Sequence, residues 1–123
     1  MTKQDLINEI IKQRDSGKIS NFRSKVLIQT LQIPKGKVST YALLARAIDC
    51  NSSQAVGQAL KHNPWAPKVP CHRIIKSDFS IGGFHGHLNG EFIDKKIKLL
   101  KSEGVEINTH SKLSDLNQIY NFD

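Results

Sequence analysis

Two short segments with helical apolar spacing, joined by a tight polar turn, occupy residues 39–64 and constrain the fold most. The first follows Ser39 or Thr40, and either hydroxyl can cap a helix. The second follows Ser52 or Ser53 and ends at an Asn-Pro pair, because proline disfavours a helical conformation in the residue before it. This pattern indicates a helix-turn-helix unit. A plain helical bundle, which also contains helix pairs joined by short loops, remains the alternative.

The same 3.6-residue period predicts three further helices, over about residues 3–14, 21–32 and 91–103. The last of these is expected to turn its lysines mostly outward. Residues 73–81 have the composition of a β-hairpin or wing, although their edges are weakly marked. Four glycines then make the stretch 81–90 a flexible loop. The expected fold class is therefore mainly α with a small β-hairpin, in a winged helix-turn-helix-like arrangement.

The chain has 123 residues, enough for one compact domain. We expect a helical extension over residues 1–20, the domain itself over residues 21–107, and a tail over residues 108–123 that is weakly helical or frayed.

Lysine and arginine number 18 against 11 acidic residues, so the net charge of +7 favours a polyanionic partner such as nucleic acid.

The sequence contains no apolar stretch of membrane-spanning length and no signal-peptide pattern at its start. We therefore expect a cytoplasmic protein, associated with the nucleoid or, in a eukaryote, nuclear. Two cysteines are too few for a disulfide framework, and both are expected to be thiols.

The second cysteine lies in VPCHRII, where Cys71 is followed directly by His72. A cysteine becomes a strong nucleophile when a nearby base or cation populates its thiolate. Adjacent side chains of an extended segment point to opposite faces, so a water or a bend at Pro70 would have to bring the two groups together. Without further context, Cys71 is better explained as a small buried residue.

The context comes from five motifs in order: IPKGKVSTYALLARA, AVGQALKHNP, VPCHRII, the GGF loop and LLKSEGV. Over about residues 22–105 this pattern resembles the DNA-binding, active-site domain of the O6-alkylguanine-DNA alkyltransferases, the methylated-DNA–protein-cysteine methyltransferases. The resemblance implies the winged helix-turn-helix-like C-terminal domain of that family as the fold.

The resemblance also implies a chemistry, DNA repair by direct alkyl transfer. Cys71 would take the alkyl group from O6 of guanine, or from O4 of thymine, once and irreversibly. His72 would remove the thiol proton through a water, Glu103 would orient His72, and Tyr41 would donate a proton toward the leaving base. The family uses no cofactor for this reaction.

The same resemblance implies two sets of binding residues and a monomer bound to double-stranded DNA through the minor groove, with the target base flipped out of the duplex. The flipped base would be held by Leu60, Ile74, Phe84, His85 and Lys96. The groove would be contacted by small residues of the second helix, Ala59 among them, and by neighbouring positions: Ser53, Gln54, Ala55, Gly57, Asn63 and Arg73.

The chain departs from the family pattern in three places. Gln54 stands where an intercalating arginine is usual, which predicts weaker flipping or weaker DNA binding. Phe84 stands near a usual tyrosine, and the loop that follows it is longer than is typical. The family's separate N-terminal domain is missing or reduced to the first helix, and no metal site is expected because the five histidines lack a matching ligand set: His62, His72, His85, His87 and His110.

Three rival functions remain open. An alkyltransferase-like protein would bind and flip the lesion without repairing it, and would require a disabled Cys71. A winged-helix regulator would bind a specific operator and use Cys71 structurally or as a redox sensor. A cysteine hydrolase would need an oxyanion hole, for which no motif is evident.

Overall fold

Hydroxyl caps define where most of the helices begin. In the first four helices, the side-chain oxygen of the preceding residue accepts a hydrogen bond from a backbone N–H of the first turn, which satisfies one of the free donors there. The capped helices are α1 (Lys3–Asp15) after Thr2, α2 (Asn21–Thr30) after Ser20, α3 (Tyr41–Ala47) after Thr40 and α4 (Ser53–Leu60) after Ser52. The predicted helix starts at residues 40 and 52 are thereby confirmed.

The computed structural model describes residues 1–61, 63–82 and 90–122. Within these ranges the fifth helix, α5 (Glu91–Ser102), follows Gly90 without a side-chain cap and has acidic residues in its first turn, which the helix dipole favours. No helix of the described part is long and apolar enough to cross a bilayer.

The four amino-terminal helices enclose the larger of two apolar cores. Residues from all four are fully buried, and α1 contributes Ile10, so the predicted extension packs into the domain instead of standing apart from it. Burying a side chain of this size stabilises the fold by about 1.5–3 kcal/mol. The members of this core are Ile10, Val26, Leu27, Ile33, Leu44, Ala45, Val56, Ala59, Leu60, Val69, Cys71 and Ile74.

The small sheet has two parallel strands, β1 (Ser39–Thr40) and β2 (Ile74–Ile75), which pair in register. The predicted hairpin over residues 73–81 is therefore wrong in its pairing. A tight turn does close there, in which the N–H of Lys76 donates to the carbonyl of Ser80 at 3.0 Å. Ser80 itself forms an antiparallel β-bridge with Lys112 and not with the strand that precedes the turn. The expected mainly helical class with a small sheet is confirmed.

A second, smaller core lies beneath this sheet and brings distant segments together. It consists of Val38, Ile75, Ile81, Leu100, Val105 and Leu113. Residues 108–122 belong to this assembly, so they are neither frayed nor a helix, apart from one 3-10 turn at Leu116–Gln118. The tail is extended because its backbone groups pair with other segments, as in the parallel bridge between Val38 and Ile119.

Candidate active site

Cys71 begins a 3-10 turn, Cys71–Arg73, that enters β2 directly. The turn is held by hydrogen bonds from the N–H of Cys71 to the carbonyl of Val69 and from the N–H of Arg73 to the carbonyl of Pro70, both 2.9 Å. A bend at Pro70, one of the two ways in which the sequence could bring the groups together, is therefore present. The segment is turned and not extended, and Cys71 and His72 are both buried.

The thiol of Cys71 is enclosed in the larger core, and the side chain is 6 % exposed. Burial raises the pKa of this thiol, while the amide of Asn63 and the ammonium of Lys96 act in the opposite direction. The resting group is thus the neutral thiol. A base is required if the sulfur is to act as a nucleophile near neutral pH.

His72 has the geometry of such a base. Its Nε2 lies 3.1 Å from Oε2 of Glu103, so in the neutral ring Nε2 carries the proton and donates it to the carboxylate. The other nitrogen, Nδ1, is buried and has no hydrogen-bond partner among the described residues. Burial lowers the pKa of His72, against the opposing effect of Glu103. The ring is therefore neutral near pH 7, with a basic lone pair on Nδ1.

Arg73 fixes the carboxylate that orients this ring. Its Nε donates to Oε1 of Glu103 at 2.9 Å and its Nη2 donates to Oε2 at 2.8 Å, a bidentate pair. Its Nη1 donates to the carbonyl of Ile33 at 2.8 Å. Partial burial raises the pKa of Glu103, but hydrogen bonds from Arg73 and His72 outweigh it and hold the pKa below its usual range.

The bonds of Arg73 bear on its predicted contact with DNA. All three of its guanidinium nitrogens donate to protein acceptors, and the side chain is 15 % exposed. A phosphate would have to compete with a nearly buried ion pair. The structure shows Arg73 holding Glu103, and its contact with DNA stays a prediction.

Lys96, the lysine of α5 that the resemblance assigns to the site, lies inside the protein. It is fully buried, and its Nζ donates to the carbonyls of Ile74 and Ile81 at 2.7 Å each. Burial lowers the pKa of Lys96 to about 7, against the attraction of a charge on Cys71. The ammonium joins the strand after the cysteine turn to the segment that leads into the glycine-rich loop.

Tyr41, the first residue of α3, has its ring between α4 and that same segment. A β-carbon added to Gly57 would stand 3.8 Å from the tyrosine Cε1, and one added to Gly82 would stand 3.7 Å from its Cε2. Burial, with a smaller contribution from charge on Cys71, raises the pKa of Tyr41 to about 12. The phenol is thus a protonated donor in electrostatic reach of the thiol.

The predicted pocket residues are only partly described. Leu60 and Ile74 are buried in the same core as Cys71. Phe84, His85 and the other loop residues between 83 and 89 lie outside the described residues, as does His62. Asn63 is buried, donating from Nδ2 to the carbonyl of Val69 at 2.8 Å and accepting at Oδ1 from the N–H of Trp65 at 3.0 Å.

Asn63 therefore ties the end of α4 to the cysteine turn from inside the protein.

On the outer surface of α4, the predicted DNA-binding residues differ in exposure. Ser53 and Gln54 are exposed, whereas Ala55 and Gly57 are half-buried. Ala59 is buried in the core and is not part of that surface.

Within the described part of the chain, no group of three histidine, cysteine, aspartate or glutamate side chains is placed to hold a metal ion.

Three features of the site have little or no signal in the sequence. The pairing of Arg73 with Glu103 joins residues far apart in the chain, and only their opposite charges could have suggested it. The carbonyl of Ile81, which accepts from Lys96, carries no side-chain signature. Gln118 hydrogen-bonds on both sides of Val105, close behind Glu103, from a tail that no motif marked.

Comparisons with known proteins agree with this geometry. Residues 21–105 match the family model described as 6-O-methylguanine DNA methyltransferase, DNA binding domain. A methylated-DNA–protein-cysteine methyltransferase of Pyrobaculum aerophilum is 42% identical over 81 residues, which are 66% of this chain and 51% of the relative. The chain spans about half the length of such relatives.

Two solved structures share the fold. S. pombe Atl1, in complex with damaged DNA containing O6-carboxymethylguanine, has a TM-score of 0.72 and 33% identity, covering 83% of this chain and 96% of Atl1. Mycobacterium tuberculosis OGT in complex with DNA has a TM-score of 0.62 and 35% identity, covering 69% of this chain and 50% of OGT. Since the family model covers more than half of the sequence, the chain belongs to the 6-O-methylguanine DNA methyltransferase family through its DNA-binding domain.

Proposed function

We propose that this chain repairs DNA by moving an alkyl group from O6 of guanine to the sulfur of its own Cys71. The observation that carries the proposal is the state of His72, which follows Cys71 in the same buried turn: Nε2 is held by Glu103, and the buried Nδ1 has no hydrogen-bond partner among the described residues. This is the order of nucleophile, base and orienting carboxylate that covalent catalysis needs.

The reaction is a single displacement at the alkyl carbon. A carbon–sulfur bond forms at Cys71, and the bond between that carbon and O6 of guanine breaks. The thiol proton passes to Nδ1 of His72 through a water, and the charge of Glu103 stabilises the resulting imidazolium. The departing guanine keeps the electron pair of the broken bond and gains a proton, for which the Tyr41 phenol is the donor. The thioether is not hydrolysed, so each molecule acts once.

Delivery of the base depends on α4. Its small and polar outer residues suit close contact with the minor groove of duplex DNA, and the net charge of +7 favours binding to phosphates. Stacked guanine is out of reach of a buried thiol, so the nucleotide must be rotated out of the duplex at a cost of roughly a few kcal/mol. Gln54, exposed near the start of α4, would occupy the space that the base leaves.

A second function is favoured by one comparison. Atl1, which was solved on damaged DNA containing O6-carboxymethylguanine, has a TM-score of 0.72 with this chain at 33% identity. Binding of an alkylated guanine without transfer is therefore the alternative. It would use the same helix and pocket and would leave Cys71 unmodified.

The deciding experiment incubates the protein with a duplex oligonucleotide containing O6-methylguanine and then measures the intact mass. Transfer adds one methylene to the peptide that holds Cys71. Cys71→Ser must abolish the gain, whereas Cys50→Ser, which changes the only other cysteine, must keep it. An unmodified protein that still prefers the lesion duplex over the same duplex with guanine supports the alternative. An unmodified protein with no such preference overturns both.

A further inference from the structure

The C-terminal segment, residues 106–122, lies beyond the family match, which ends at residue 105. It nevertheless hydrogen-bonds to several of the segments that surround the site. The N–H of Ile81 donates to the carbonyl of Ser111 at 3.0 Å, and the N–H of Leu113 donates to the carbonyl of Phe79 at 2.8 Å. Leu113 is itself buried in the smaller core.

Within this segment, Gln118 links two of the site's supports. Its Nε2 donates to the carbonyl of Gly104 at 2.8 Å, and its Oε1 accepts from the N–H of Glu106 at 2.8 Å. Its backbone carbonyl accepts from the N–H of Val38 at 2.9 Å. One residue therefore joins the chain just after Glu103 to the strand that leads into Tyr41.

The position of Glu103 explains why these bonds matter. It is the residue that ends α5, and Gly104 after it has a φ of +91°. The N–H of Val105 returns to the carbonyl of Leu100 at 3.0 Å, and the N–H of Gly104 returns to the carbonyl of Lys101 at 3.1 Å, which is a Schellman motif. The motif fixes the helix end, and Gln118 fixes the two residues on either side of Val105.

We propose that Gln118 is a positioning residue for alkyl transfer, which it supports by holding Glu103, and through Glu103 the ring of His72, in register with Tyr41. The inference rests on the proposed function. Its specific content is that the side-chain bonds of Gln118, and not the Schellman motif alone, keep the carboxylate of Glu103 within 3.1 Å of the ring nitrogen.

The test is a single-turnover measurement of transfer with excess O6-methylguanine duplex. Gln118→Met keeps the length of the side chain and removes both of its hydrogen bonds, while the backbone bond to Val38 is retained. We expect the rate constant to fall by about three- to tenfold, the size expected from the loss of one or two hydrogen bonds. The Kd for the duplex should remain within about twofold, since α4 is not altered.

Two controls make the result specific. Asn117→Ala changes the neighbouring residue, whose side chain makes no hydrogen bond within the described ranges, and should leave the rate constant unchanged. Any unfolded fraction lowers the amplitude of the single-turnover reaction and not its rate constant, so a loss of stability cannot imitate the expected effect.

A second readout does not require activity. Proton NMR should detect the ring N–H of His72, protected by its bond to Glu103, and in Gln118→Met that proton should exchange faster with water. If wild-type protein transfers no alkyl group, the proposed function fails and proton exchange still tests Gln118. If wild-type protein transfers, but the variant matches it in rate constant and in exchange, the inference is overturned and the Schellman motif suffices.

Discussion

The helical part of the molecule, residues 1–61, and the part that carries the site, residues 63–82 and 90–122, are held together in different ways. The first consists mainly of capped helices, which supply most of the larger apolar core; Val69, Cys71 and Ile74 of the second part complete that core. The second has a single long helix and most of the smaller core, and bonds such as those of Asn63, Arg73 and Lys96 to backbone carbonyls join its segments. The difference indicates that stability resides mainly in the helical part and that the exact placement of reactive groups resides in the other.

Glu103→Gln gives the largest expected effect and tests the second half of this comparison. The amide cannot stabilise an imidazolium or match the guanidinium of Arg73, so alkyl transfer should slow by about a hundredfold or more. The matched control is Glu106→Gln, which makes the same charge change three residues away at an exposed position. Single-turnover rates on an O6-methylguanine duplex measure both. Equal rates for the two variants would show that the carboxylate of Glu103 is not used.

Ile10→Ala tests the helical half. This side chain is fully buried in the larger core, and its truncation should lower the free energy of unfolding by about 2–5 kcal/mol. Ile11→Ala, at a half-buried position on the same helix, should cost less. Urea unfolding measures both variants. The transfer rate constant of the folded fraction should be unchanged, and a parallel fall in that rate constant would remove the distinction between the two parts.

The pH dependence of the transfer rate constant should follow the protonation of the His72 ring. Because burial lowers the pKa of His72 below the ordinary value of 6.5, the rate constant should fall as the ring gains a proton, with a midpoint below pH 6.5. The same shift makes the contribution of His72 to stability fully present above pH 6.5 and lost as the pH falls through the folded-state pKa. Rate constants between about pH 5 and pH 8 measure the first effect. A midpoint above 6.5 would contradict this assignment.

Gln54→Arg has the smallest expected effect and concerns the contact between the helical part and DNA. The added charge should tighten duplex binding several-fold and steepen the slope of log K against log salt by about 0.9. Gln58→Arg adds the same charge at another exposed position of α4. Only Gln54→Arg should also speed transfer at low protein concentration, because only that position is proposed to enter the space left by the base. If both variants behave alike, Gln54 has no special role in flipping.

The sequence predicted the helical part well for a physical reason. Caps and 3.6-residue periods are local, so Thr40 and Ser52 marked their helices without knowledge of the rest of the fold. The parallel pairing of β1 with β2 joins residues about 35 positions apart and leaves no local pattern. A hairpin was the nearest local explanation of Ile74 and Ile75, and it was wrong for that reason.

Within the site, the motifs identified which residues to examine but not all that they contact. The resemblance supplied Cys71, His72 and Glu103 as a set, and the structure brings His72 and Glu103 into hydrogen bonding. The resemblance gave no indication that the side chain of Arg73 turns inward and pairs with Glu103. Lys96 could not be told from the other lysines of α5 by type, because only tertiary packing decides which one meets two backbone carbonyls.

The closeness of Gly57 to the ring of Tyr41, where an added β-carbon would stand 3.8 Å from Cε1, has a consequence for how damage is sensed. Gly57 belongs to the helix proposed to enter the groove, and Tyr41 belongs to the pocket proposed to receive the base. A small displacement of α4 on binding would therefore move the wall of the pocket directly, without any relay through the core. Binding of α4 in the groove would in this way be coupled to the position of the Tyr41 ring at the site.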